Sequence, residues 1–164
     1  MRHLGSSIVS LWAAAAVTGL AATAQQGAAA KPPAIRACQL LTKDLALKVT
    51  AAANKKIFDI LPPEEESLGA TGSACEYGDI RLQIDPFTAR RFEELSTKEK
   101  GWTPEPNLGD KASFRTNPNG YAELFVAVGT HVMTIQISVP TGGTAAGIKP
   151  NAIALAKELM PKLR

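Results

Sequence analysis

Aromatic side chains make up only 5% of this 164-residue chain, against 45% for all hydrophobic types. Such a core is built from aliphatic residues and Ala, with little ring surface left for stacking on sugars or bases. Histidine is scarcer still: beyond His3 there is only His131, so a transition-metal site has no visible ligand set, and no metal or cofactor is expected. Long runs of one charge are also missing. Lys55-Lys56 and Arg90-Arg91 are offset by Glu64-Glu65-Glu66 and Glu93-Glu94 within a formal net charge of +3, so no basic face for nucleic acid emerges. The longest apolar stretch, residues 8–22, is rich in Ala, Ser, Thr and Gly and falls short of the ~20 residues needed to span hydrocarbon.

That stretch has another use. Arg2 and His3 precede it and Ala22-Thr23-Ala24 follows it, the order of basic start, apolar helix and A-x-A exit that a signal peptidase reads. Residues 1–24 are therefore expected to be a signal peptide cleaved after Ala24, giving a periplasmic or secreted protein with no stable membrane insertion. Residues 25–36 hold no large apolar cluster and are expected to form a flexible leader. Residues 37–164 are long enough for one core and are read as a single domain.

Within the domain, Thr42 and Asp44 open a helix in which Leu41, Leu45, Val49 and Ala52 recur at three- and four-residue steps, ending near Asn54. Residues 57–60 suit a short strand. Residues 61–73, with Pro62-Pro63, three glutamates and two glycines, read as a loop. Residues 74–85 alternate, Ile80, Leu82 and Ile84 against Arg81, Gln83 and Asp85, and are taken as one half-buried strand. Thr88 then caps a mostly polar helix closed by Gly101, and a proline-broken loop over 102–110 leads into a strand over 111–115.

Asn117-Pro118-Asn119-Gly120 predicts a type I′ hairpin turn, and Gly129-Thr130 a type II′ turn. If Val128 pairs with His131, then Val126 meets Met133, Leu124 meets Ile135 and Ala122 meets Ile137 on one face; a one-residue slip would drive Thr134, Gln136 and Ser138 into the core. A last helix, with Pro150 in its first turn, carries Ile148, Ala152, Leu155, Ala156, Leu159 and Leu163 on one stripe. The expected fold is α+β: a four-stranded antiparallel sheet with helices packed on one face and the C-terminal helix as lid.

Cys38 and Cys75 are the only cysteines, and in an exported chain an intramolecular disulfide is the simple reading. A redox-active pair is the alternative, although active dithiols normally lie two residues apart near a helix start.

Candidate chemistry is sparse. His131 would have to be the base of any Ser-His-Asp device, and Ser96, Ser113 and Ser138 stand outside a nucleophile-elbow sequence. Gly142 and Gly147 have the spacing of a phosphate loop but are followed by Ile148-Lys149-Pro150, without the Gly-Lys-Ser/Thr that would hold phosphate and magnesium. Glu64-Glu65-Glu66 lacks the alternating ligands of a calcium loop, and Glu93-Glu94 are adjacent helical residues that do not converge. Trp102, in a proline-rich loop, either plugs the edge of the core or offers a binding contact.

Cys38-Gln39-Leu40-Leu41-Thr42, Cys75-Glu76-Tyr77, Leu108-Gly109-Asp110-Lys111-Ala112 and Ala154-Leu155-Ala156-Lys157 together resemble small exported bacterial envelope domains of uncharacterised function, many of them actinobacterial lipoproteins. The resemblance supports the disulfide, since such domains have paired cysteines before the first helix and in a strand. It brings no activity and no binding residues, and this chain lacks their lipidated cysteine. The expected function is that of a non-enzymatic envelope protein that binds another envelope protein or a small ligand, with Trp102 and His131 as candidate contacts. The alternatives are a small hydrolase around His131, beside Asp110 or Glu123 and a serine, and an inhibitor of a secreted enzyme acting through the proline-rich loop.

Overall fold

The computed structural model describes residues 35–50, 55–69, 71–90, 92–93, 101–117 and 119–164. The expected signal peptide, most of the leader, and Ser96 lie outside them.

Three short helices come first: α1 (Ala37–Leu40), α2 (Lys43–Val49) and α3 (Ile57–Ile60). Thr42 caps α2, its Oγ1 accepting from the Leu45 N–H at 3.4 Å, and Asp44 stands in the first turn where the helix dipole favours an acid. Seven strands follow: β1 (Glu64–Leu68), β2 (Gly72–Tyr77), β3 (Ile80–Pro86), β4 (Thr103–Pro104), β5 (Lys111–Asn117), β6 (Tyr121–Val128) and β7 (His131–Ser138). The chain ends in α4 (Ala145–Leu159) and a 3-10 turn (Met160–Lys162).

The strands form one antiparallel sheet in the order β1-β2-β3-β7-β6-β5-β4. Two meanders thus join along β3 and β7, where Ile80 faces Ile137, Leu82 faces Ile135 and Ile84 faces Met133. In the β6–β7 hairpin Val128 pairs with His131, Val126 with Met133, Leu124 with Ile135 and Ala122 with Ile137, the register that the alternation demands. All but His131 are wholly buried, packed with Leu82, Leu155, Ala156 and Leu159 in the main core. Helix α4 lies on β6 and β7 as the lid.

The fold is mixed α+β, but a four-stranded sheet is too small. Residues 61–73 are not a loop: Pro62-Pro63 stand just before β1, and the acidic run itself forms that edge strand, where charged side chains reach water. Residues 74–85 are not one strand, because Gly78 at φ +63° folds β2 back onto β3. Residues 57–60 are a helical turn, with Phe58 against Tyr77 at 4.9 Å between ring centroids. Nor do the helices all share one face: residues 89–90 and 92–93 are helical and bring Phe92 onto Phe125, Ala127 and Val132, on the side of the sheet away from α4.

Two smaller corrections concern turns. The β5–β6 hairpin pairs Asn117 with Tyr121, leaving three residues in the connection, and Asn119 lacks the positive φ of a type I′ turn; its N–H instead donates to Asn117 Oδ1 at 2.8 Å, and Gly120 alone takes φ +85°. Helix α4 starts at Ala145, five residues before Pro150, because Thr144 Oγ1 caps it by accepting from the Gly147 N–H at 3.1 Å.

The segment before β5 is locked onto the β6–β7 hairpin. Asp110 N–H donates to the Ala127 carbonyl at 2.8 Å, and Asp110 Oδ2 accepts from the Gly129 N–H at 2.7 Å. Gly109, at φ +63°, lies so close that a Cβ would stand 2.5 Å from the Ala127 carbonyl oxygen. Gly109→Ala is therefore expected to lower stability by about 2 kcal/mol. An unchanged urea midpoint would mean that this loop is not docked as described.

Candidate functional site

The strand that buries Leu124 and Val126 toward α4 must turn Glu123 and Phe125 the other way. The same alternation in every strand gives the sheet a second face, and register fixes what lies on it. One row runs across six strands as Glu64, Glu76, Arg81, Gln136, Glu123 and Arg115, each paired with the next.

The row is braced at two points. Toward its β5 end Glu123, only 2% exposed, accepts from Arg115 Nε, from Gln136 Nε2 at 2.5 Å and from Asn117 Nδ2 at 3.2 Å. Three donors on one buried carboxylate compensate the loss of water around it. Toward the β1 edge, Arg81 donates to Glu66 at 2.7 Å and to Glu76 at 3.2 Å. The hydrogen bond that Arg81 donates to Glu66 holds its guanidinium above its ordinary pKa against the opposing effect of burial.

The two ends of this face differ. Toward the β6–β7 turn it is apolar: Phe92, Phe125, Ala127 and Val132 cluster, with Phe87 and Trp102 packed against them. Trp102 stacks on Phe125 at 4.5 Å between centroids, and the Arg115 guanidinium lies 4.5 Å from the Trp102 ring, tying the cluster to the charged row. Toward the opposite end the face opens into a depression of about 360 Å³ with a polar lining that includes Arg81, Gln136, Asn119, Tyr121 and Ser138.

Trp102 and His131 occupy different places. The Trp102 ring is half-buried against Phe125, with its indole N–H unpartnered among the described residues. His131 begins β7, opposite Val128 and Pro86, with Thr130 Oγ1 at 3.2 Å from Nδ1. Glu123 pairs with Gln136, five residues further along the strand and about 17 Å away, and is engaged by its own donors. Asp110 is held by Gly129, while Ser138 lies at the far end of β7 from His131. The structure does not bring His131, Glu123 and a serine together. Neither Trp102 nor His131 lines the depression.

Cys38 and Cys75 form a disulfide that joins α1 to β2. Among the described residues no group of three or more His, Cys, Asp or Glu is placed to hold a metal ion, and no helix is long and apolar enough to cross a membrane.

Set beside known proteins, the chain matches no family model, no curated protein and no solved structure. Its function therefore has to be argued from the face just described. No motif in the sequence marks Arg115, Asn117, Tyr121, Glu123 or Gln136: Arg115 and Tyr121 carry no signal there, and Asn117, Gln136 and Glu123 enter only as a turn residue, a side chain kept out of the core and a partner for His131. Alternation does place the odd-numbered residues of β6 together, and a glutamate among otherwise apolar neighbours on such a strand is the signal that a buried partner exists.

Proposed function

We propose that this chain is an exported cell-envelope protein that works by binding rather than catalysis, and that the open face of the sheet is its contact surface. The observation that carries this reading is the row braced by Glu123 on one side and by Arg81 on the other. Within it Glu123 is engaged by three donors and Arg81 by two carboxylates. The buried Glu123 fixes Gln136, and the flanking carboxylates fix Arg81, so the side chains of the row that reach the surface keep fixed directions, which favours specific recognition. A general base, by contrast, must have its lone pairs turned toward a substrate proton.

Two further points support export. A disulfide fits an oxidising compartment. The likeness to small exported envelope domains, drawn from the cysteine and Leu-Gly-Asp motifs, points to the same location.

Photo-crosslinking in producing cells tests the reading. A photoreactive residue at Asn119, on the rim of the open face, is expected to give a discrete adduct by mass spectrometry that excess unmodified chain competes away. The same residue at Lys157, on the exposed side of α4, is expected to give none. Competed adducts at Lys157 with none at Asn119 would overturn the assignment of the face.

A further inference from the structure

The depression at the end of the open face carries the inference further, on the reading that this face is the binding surface. Its charge narrows the class of ligand. Arg81 is its guanidinium, and two carboxylates, Glu66 and Glu76, already bridge it, so no uncompensated cation awaits a phosphate or carboxylate. The two carboxylates of the lining are engaged as well, Glu76 by Arg81 and Asp79 by the Thr50 hydroxyl that donates to it, so none stands bare for a cation. A neutral polar ligand satisfies both conditions.

The remaining lining narrows it again. Gln136 donates one of its two amide N–H groups to Glu123, which fixes the direction of the other and of its carbonyl oxygen. Ser138 and Asn119 add hydroxyl and amide groups that both donate and accept. Beside them stands Tyr121, 38% exposed and one of three exposed large hydrophobic side chains among the described residues. It is anchored in β6 between Asn117 and Ser138. A rigid ring with an apolar body and a polar tip, surrounded by planar amides and hydroxyls, matches a molecule with an apolar C–H face and hydroxyls around its rim. A volume of about 360 Å³ accommodates one or two pyranose rings.

We infer that the depression beside Tyr121 is a binding site for a neutral sugar unit of a glycan. The scarcity of aromatics noted from composition does not oppose this, because a single placed ring serves one sugar. No bond is made or broken in the step; recognition alone is involved.

The test is an NMR titration of the purified, isotopically labelled chain, disulfide intact, with chitotriose, cellobiose and maltotriose, and separately with sodium phosphate and spermidine. At least one saccharide is expected to give saturable shifts centred on Tyr121, Asn119 and Ser138, with a dissociation constant on the order of 1 mM or tighter. Tyr121→Ala is expected to weaken that binding at least about tenfold while leaving the melting temperature unchanged. Should Tyr121→Ala fail to fold, Ser138→Trp, which fills the depression, is expected to abolish the shifts. Three silent saccharides at about 50 mM would overturn the inference. So would shifts centred elsewhere, or shifts at Tyr121 produced only by phosphate or spermidine. Any of these together with a competed adduct at Asn119 would overturn the sugar while sparing the wider reading of the face; the absence of that adduct would count against the face itself.

Discussion

Glu123→Ala is expected to destabilise the chain by about 3–5 kcal/mol, far more than the loss of a surface charge. Its side chain is 3% exposed and that of its partner Arg115 is 15% exposed, so the pair is out of water on both sides. Truncating the carboxylate leaves a guanidinium held over Trp102 and two amide donors, from Asn117 and Gln136, aimed at an empty place. The penalty is the desolvation of groups that water cannot reach. The same reasoning gives a sharper second result: Glu123→Leu combined with Arg115→Met removes both charges and is expected to recover most of the loss. Urea denaturation of the single and double variants measures this. A midpoint for Glu123→Ala within the error of wild type would mean that the row is solvated and not a rigid surface.

Removing the disulfide is expected to cost about 4 kcal/mol, the chain-entropy value for the 37-residue separation of Cys38 and Cys75. The structural consequence is local as well as global. Helix α1 has only four residues, too few to persist alone, and is held by the bridge and by the Ala37 N–H donating to Ser73 Oγ at 2.9 Å. Reduction, or the pair Cys38→Ser with Cys75→Ala, is therefore expected to lower the urea midpoint and to release amide-exchange protection first around α1. Equal midpoints with and without reductant would show that the bridge constrains nothing.

How far the fold could be read from the sequence follows from the range of the forces that shape each part. The β6–β7 register is legible because alternation and a Gly-Thr turn act over neighbouring residues, and a one-residue slip buries Thr134 and Gln136 in an aliphatic core. The strand β1 is not. Three glutamates after two prolines carry no local strand signal, and they are extended because β2 offers its free edge and Arg36 and Arg81 meet Glu65 and Glu66. The two-residue strand β4 likewise exists only through Phe114 and Ser113 opposite it. At the candidate site, alternation alone turns Arg81 to the side of its strand opposite Ile80 and Leu82. That Glu123 and Gln136 would stand next to it depended on β3 pairing with β7 across about fifty residues of chain, which no local pattern encodes. Trp102 drew attention as a lone large ring in a loop, and its partner Phe125 was hidden among residues that looked like ordinary strand core.

The claim on which the rest depends is that one sheet of seven strands has two unlike faces, an aliphatic one under α4 and an open one crossed by the charged row. Cross-strand nuclear Overhauser contacts measure it directly. They are expected between Glu64 and Glu76, Arg81 and Gln136, and Glu123 and Arg115, together with ring contacts of Trp102 to Phe125 on the open side and Phe58 to Tyr77 on the helical side. Contacts that stop at a four-stranded sheet, with no Glu64–Glu76 pair, or Trp102 found on the same side as Phe58, would contradict the account.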